Sequence, residues 1–400
     1  MRILIISQYF FPENFRINDL CLGLKDNGHE VTVLTGRPNY PSGKFYEGYT
    51  FLNKRLESYH GIKVYRSHLI PRGSASGFRL FLNYISFVIF APLRILSING
   101  NFDRVFVYAP SPITVGFVGI FASIYFRAKP FLWVHDLWPE SVKDAGGINN
   151  KIILSLINFM TKSIYYFYDN ILVQSPSFKN YLVDQGVKSE KIIYYPYYAE
   201  SFYNVVDKNE KIENMFPKGL NIVFAGNIGV AQSFDTIIEA VKIALNDVKS
   251  LNIIVLGEGR DKERILKKIK KNNLNNFYFM GSFPPESMPE YFASADALLV
   301  SLKKSKIFSS TIPGKLQSYL ACGKPIIASL DGIGAKIVSD ASCGFSSDAE
   351  DFQGLAQSII AFSKLKDVDR LKLGENGRKY YENEFERKKL LSKLIDIFEK

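Results

Sequence analysis

The feature that most narrows the fold is a strand, helix, strand succession that opens the chain and begins again past its midpoint. Ile3-Leu4-Ile5-Ile6 reads as a buried strand, a helix runs from about Ile17 to a stop at Asn27-Gly28, and Val31-Thr32-Val33-Leu34 is the next strand. The order restarts at Asn221-Ile222-Val223-Phe224-Ala225, followed by a glycine-bearing turn and a helix through Ile237, Ile238, Ala240 and Val241. Parallel strands need a crossover of this kind, and their sheets bind ligands beyond the carboxyl ends of the strands. Four hundred residues exceed one ordinary core. The pattern predicts an α/β chain of two Rossmann-like domains.

Further apolar strands are expected at 62–65, 104–108, 131–134, 170–173 and 191–194, then at 253–256, 277–280, 297–301 and 326–328. The tyrosine-rich run from Tyr195 and the polar stretch to Lys218 read as the linker. This places a first domain at 1–198 and a second at 199–384, with a last helix over 385–400 that crosses back to the first. Residues 37–61, rich in Gly, Pro, Tyr and Asn, read as one long irregular loop, a common place for binding. Gly-x-Gly-x-x-Gly is absent from the first turn, which argues against a dinucleotide.

Composition excludes several classes. With 47% apolar and 22% charged residues the chain is globular. Cys21, Cys322 and Cys343 are too scattered for a metal or disulfide framework, so no metal is expected and a reducing compartment fits. The opening Met1-Arg2-Ile3 is the first strand rather than a signal peptide. The net charge of +11 is uneven: between residues 51 and 100, seven basic residues face one acid, Glu57. That stretch holds an apolar helix, Phe78 to Ser97, bracketed by Arg79 and Arg94 and interrupted by Asn83, Ser86 and Pro92. It is too broken to span a bilayer but suits an anionic membrane surface; a buried core helix fits the same residues. Nucleic acid is not expected, because no recognised module accompanies the charge.

Three stretches carry candidate chemistry. Ser309-Ser310-Thr311-Ile312-Pro313-Gly314-Lys315 leads into a helix whose face is Leu316, Tyr319 and Leu320, closed by Gly323-Lys324-Pro325. With Pro313 in the first turn, a helix entered through Ser-Ser-Thr offers free N–H groups to a phosphate, although an ordinary capped helix has the same residues. After Ala225, Gly226-Asn227-Ile228-Gly229 and Gln232 form a turn whose amides suit a diphosphate. The third stretch, His135-Asp136-Leu137-Trp138-Pro139-Glu140-Ser141, follows the strand Phe131 to Val134 at the end where an α/β site is built; a helix cap by Asp136 is the plain alternative.

These segments, in this order, resemble retaining glycosyltransferase family 4. Thr311 to Ile326 and Asp136-Leu137-Trp138-Pro139-Glu140-Ser141 are similar to a subgroup of bacterial O-antigen and capsule enzymes that includes N-acetyl-L-fucosaminyl transferases. The resemblance implies the GT-B fold, two Rossmann-like domains across a cleft. It implies transfer from a uridine diphosphate sugar to a lipid-linked saccharide at the inner face of the cytoplasmic membrane, with no cofactor beyond the nucleotide sugar, itself a substrate. His135, Asp136 and Lys315 are the catalytic candidates it implies. Glu13, Asn14 and Arg16 would face sugar and acceptor. Gly226, Asn227, Gly229, Gln232, Gly257, Glu258 and Phe283 would hold the nucleotide, together with Ser309, Ser310, Thr311, Ile312 and Ser318. The chain departs from the family where Ser310 and Ser318 replace two glutamates and where Asn227 and Gln232 replace an arginine and a lysine. Lys315, then Lys303 or Lys306, is expected to supply the missing charge. A nucleotide-sugar epimerase of the same fold and a non-catalytic partner in polysaccharide assembly are the rival readings.

Overall fold

A computed structural model of the protein describes residues 1–50, 53–73, 77–144 and 148–400. It divides into two compact units: Met1–Tyr195 with Leu391–Lys400, and Pro196–Leu390.

The first unit runs β1 (Arg2–Ser7), α1 (Ile17–Asp26), β2 (Glu30–Thr35), β3 (Leu56–Tyr59), β4 (Ile62–Arg66), α2 (Gly77–Ile95), β5 (Arg104–Ala109), α3 (Val115–Phe126), β6 (Lys129–Val134), α4 (Glu140–Asp144), α5 (Lys151–Phe167), β7 (Asn170–Val173), α6 (Pro176–Asp184) and β8 (Ile192–Tyr194). Its strands form one sheet in the order β3-β4-β2-β1-β5-β6-β7-β8, parallel except for β3 against β4. Strand β3 corrects the expectation of an unbroken loop over 37–61, of which 51–52 lie outside the described residues. Leu56 and Ser58 are exposed, so this edge strand shows no apolar run from which to read it. Side chains alternate across the sheet. Val105, Val107 and Leu132 pack in one core with α2, α3 and α5. Phe106 and Phe131, on the other face, meet Phe398 at ring distances of 5.5 and 4.9 Å.

The second unit runs α7 (Glu210–Glu213), β9 (Leu220–Ala225), α8 (Phe234–Ala244), β10 (Leu251–Leu256), α9 (Lys262–Lys271), β11 (Phe277–Gly281), α10 (Met288–Ala293), β12 (Ala297–Ser301), α11 (Lys306–Ser310), α12 (Gly314–Ala321), β13 (Ile326–Ser329), α13 (Ile333–Asp340), β14 (Gly344–Ser347), α14 (Phe352–Ser363) and α15 (Asp367–Glu384). Its parallel sheet has the order β11-β10-β9-β12-β13-β14. Helix α16 (Arg387–Glu399) begins in this unit and ends on the first, where the Arg104 guanidinium donates to the Phe398 carbonyl at 2.5 Å. The fold class expected from the sequence, α/β with two Rossmann-like domains, is the one observed. In each sheet the strand order reverses beside the first strand, at β1/β5 and at β9/β12. Loops diverge there and leave a crevice at the carboxyl ends.

Candidate functional site

In the second unit the reversal point is framed by the turn after β9, the turn after β10 and the first turn of α12. Gly226 has φ +131° and donates its N–H to the Leu256 carbonyl at 2.8 Å. A Cβ there would lie 2.6 Å from Lys315 Cε. Gly257, at φ +150°, packs its Cα so tightly that a Cβ would meet the Gly226 carbonyl oxygen at 2.0 Å. Ile228 N–H donates to the Glu258 carbonyl at 2.9 Å, and Lys303 N–H to the Ala231 carbonyl at 2.9 Å. Backbone bonds thus tie together the turns after β9, β10 and β12.

Lys315 is the chemical centre of this arrangement. Its ammonium lies 3.5 Å from the centroid of the Phe224 ring, and Nζ is buried without a hydrogen-bond partner. Burial pushes its pKa down to about 7. Helix α12 is fixed by Tyr319, whose hydroxyl accepts from Ala225 N–H at 3.0 Å. A buried lysine with no anion beside it among the described residues, next to a glycine turn and in the first turn of a helix, suits an anionic ligand.

The entry to α12 differs from expectation. Pro313 is the residue before the helix, extended at ψ 130°, and the helix starts at Gly314. Ser309 and Ser310 belong to α11, where both hydroxyls donate to the Lys306 carbonyl at 2.9 Å, and Thr311 donates to that of Ile307 at 2.8 Å. Their hydroxyl hydrogens are engaged within the helix, so α12 is entered through Thr-Ile-Pro. Ile312 is buried, and Ser318, also buried, donates to the Gly314 carbonyl at 3.5 Å. Gln232 folds onto its own turn: its side-chain oxygen accepts from Gly229 N–H at 3.1 Å. Asn227 is exposed. Glu258 pairs with Lys262 at 2.6 Å, and Phe283 packs on Tyr291 with centroids 4.5 Å apart. Lys306 is exposed and Lys303 half-buried.

The first unit gathers the other candidates at the carboxyl ends of β1, β2, β5 and β6. Glu13 is buried, and its carboxylate accepts from Asn39 and Tyr40 N–H at 2.8 Å and from Phe10 N–H at 3.3 Å. It therefore ties two loops together instead of presenting itself to solvent. Burial outweighs these bonds and raises its pKa to about 7. Asn14 is exposed, and Arg16 stands at the position before α1 without a side-chain capping bond. The His135 ring meets Trp133 at 4.2 Å and Tyr108 at 4.8 Å. Burial, and then the charge of Arg16, holds it well below the usual imidazole range, so it is neutral. Asp136 accepts from Ser141 Oγ and, at 3.3 Å, from Trp138 Nε1; burial raises its pKa against those bonds.

Sequence reasoning missed the partners of these groups. Phe224 reads only as a strand residue. The ring cluster of Tyr9, Phe15 and Tyr40, capped by Arg72 at 5.0 Å from the Tyr40 centroid, draws on three separate loops. The one available signal was the run Tyr9-Phe10-Phe11 directly after a strand.

Comparisons with known proteins follow the two units. Residues 15–196 match the family model "Glycosyltransferase Family 4", and residues 205–380 match "Glycosyl transferases group 1". WcaI of Escherichia coli K12, named as a candidate colanic acid biosynthesis glycosyl transferase, is 26% identical over 81% of this chain and 82% of its own. An uncharacterized glycosyltransferase of Methanocaldococcus jannaschii is 24% identical over 100% of this chain and 98% of its own. Among solved structures, sucrose-phosphate synthase from Thermosynechococcus elongatus superposes with a TM-score of 0.73 at 17% identity, covering 100% of this chain and 98% of that one. HepE from Anabaena, in complex with UDP and glucose, gives 0.69 at 15% identity over 99% of each chain. With a glycosyltransferase model matched in each of its two units, this chain is a glycosyltransferase with the GT-B fold.

Proposed function

We propose that this glycosyltransferase moves a sugar from a uridine diphosphate sugar to a hydroxyl of a lipid-linked saccharide, with retention at the anomeric carbon. It would act at the inner face of the cytoplasmic membrane, in the assembly of an O-antigen or capsule. N-acetyl-L-fucosamine is the sugar that the sequence resemblance favours. The observation that carries the reading is the unpartnered ammonium of Lys315 between Gly226 and the Phe224 ring. HepE, a full-length structural neighbour, was solved with UDP and glucose, and WcaI is named for colanic acid biosynthesis.

In this mechanism the diphosphate departs on the face the acceptor approaches, and a leaving oxygen helps take the acceptor's proton. Catalysis is then mainly stabilisation of the leaving charge and orientation of the acceptor. Lys315 supplies the positive charge, with Lys303 or Lys306 the next candidates. The N–H of Asn227, in the turn whose other amides are tied up within the unit, and the first turn of α12 supply the remaining donors. His135, neutral, and Asp136 position the sugar. Ser310 and Ser318 take the places of two carboxylates without their charge. No metal or further cofactor enters the scheme.

The test is a thermal-shift panel of nucleotide sugars on the purified chain, followed by transfer assays with and without a lipid-linked saccharide. A uridine diphosphate sugar should stabilise the chain most and be consumed only when acceptor is present. Conversion of donor alone to an epimer would overturn the reading, as would binding with no transfer to any acceptor.

A further inference from the structure

Helix α2 carries polar as well as apolar residues on its buried face and large apolar ones on its outer face. Its buried face includes Asn83 and Ser86, whereas Phe78 and Leu93 stand 71% and 61% exposed. The inward polar groups are satisfied: Gln8 donates to Asn83 Oδ1 at 2.7 Å, Asn83 donates to the Ile70 carbonyl at 2.6 Å, and Ile70 N–H donates to Ser86 Oγ at 2.9 Å. Phe78, Phe81, Ile85, Ile89 and Leu93 repeat at helical spacing along the outer face. By length and composition α2 would cross a bilayer, but its inner face is part of the first unit's core.

The neighbouring helices continue the pattern. Helix α3 lies beside α2, and α5 beside α3, with Gly116 of α3 against Ile164 of α5. Ile124 of α3 is 67% exposed, and Phe159 of α5 is 73% exposed. Ile152, Leu156 and Tyr166 extend the outer face of α5. All three helices bury their inner faces in the same core, so their outer faces adjoin. A run of large apolar side chains over three adjacent helices is far more than scattered surface residues, and such patches mark an interaction site.

We propose that the outer faces of α2, α3 and α5 form one surface that docks on an anionic lipid bilayer. Charge chooses the occupant. The three helices hold no Asp or Glu, while Arg79, Arg127, Lys151 and Lys162 are exposed on them or at their ends. Insertion of the aromatic and aliphatic tips, with cations at the headgroups, matches a negatively charged leaflet. Not all of the basic excess is available: Arg66 is buried, paired with Glu57 and bonded to the Gly36 and Phe11 carbonyls. The inference goes beyond a single amphipathic helix by assigning α3 and α5 to the contact. It rests on the proposed function only in taking the acceptor to be lipid-linked.

The experiment is co-sedimentation of the full chain with vesicles of phosphatidylcholine, alone or with roughly one-third phosphatidylglycerol. Wild type should sediment with the anionic vesicles and not with the neutral ones. Leu156→Ser/Phe159→Ser on α5 and Ile89→Ser/Leu93→Ser on α2 should each lower binding about tenfold or more, from the apolar area removed. Thermal unfolding and UDP binding of each variant report whether it is folded. Folded wild type that ignores anionic vesicles would overturn the proposal, and so would an α5 variant bound as well as wild type. A concentration-dependent dimer dissolved by these same substitutions would assign the surface to a second copy and overturn it too. Sugar transfer in detergent without vesicle binding would contradict this surface and leave the transfer reading standing. Vesicle binding without nucleotide-sugar binding would do the reverse.

Discussion

The ammonium of Lys315 rests 3.5 Å from the centroid of the Phe224 ring. The ring face attracts a cation but cannot replace water or an anion. Burial is the sole cause that lowers the lysine's pKa, to about 7. The native state therefore releases this proton at lower pH than the unfolded chain, whose lysine keeps its ordinary value. Between about pH 7 and the ordinary lysine range the unfolded chain binds the extra proton, so this group makes stability rise with pH across that window. Below it both states are protonated and the contribution is flat at its least favourable value. Lys315→Met should remove the rise, seen as a smaller gain in melting temperature on going from neutral to alkaline pH. It should be at least as stable as wild type at neutral pH, yet lose turnover by about tenfold or more. Chemical denaturation across the pH range, alongside a transfer assay, checks both parts.

Two glycines separate binding from folding. Gly226→Ala places a methyl 2.6 Å from Lys315 Cε, the flexible end of a side chain, in a backbone conformation that alanine resists. The expected result is a folded protein, destabilised by about 1–2 kcal/mol, with UDP binding lost. Gly257→Ala drives its methyl into the Gly226 carbonyl at 2.0 Å, where only backbone movement gives relief. It should unfold more readily than Gly226→Ala in a urea titration.

Glu13 gives a pH signature of opposite sign. Its pKa is raised to about 7 in the folded chain, so its contribution to stability is complete below the ordinary carboxylate range and is lost as pH rises through about 7. Glu13→Gln keeps an oxygen for the Asn39 and Tyr40 N–H groups and should abolish that loss. Glu13→Ala strands these buried donors and should cost about 1–3 kcal/mol. Melting curves at acidic and mildly alkaline pH distinguish the three proteins.

Most of the architecture was legible because local chemistry and pattern agreed. Ser175 caps α6 through Phe178 N–H at 3.2 Å with Pro176 in its first turn, and Asn27-Gly28 ends α1, as their residue types suggest. The turn at Pro313 was misread because proline fixes φ alone. The same residue suits the position before a helix and the first position within it, and ψ makes the difference. Strand β3 escaped because an exposed edge strand lacks an apolar face. Asn83 and Ser86 read as interruptions of an apolar run, since the groups that hold them inward lie outside the helix, on Gln8 and Ile70. The residue types of the candidate site were readable, but their state was not. Nothing local says that Lys315 is buried without a partner or that Glu13 faces three backbone amides.

The most direct measurement is isothermal titration of the chain with UDP at mildly alkaline pH, in two buffers of different ionisation enthalpy. A diphosphate beside Lys315 restores its charge, so binding by wild type should take up close to one proton per site, and Lys315→Met should bind more weakly with no uptake. Equal affinity in the two proteins, with no proton taken up by either, would contradict the account.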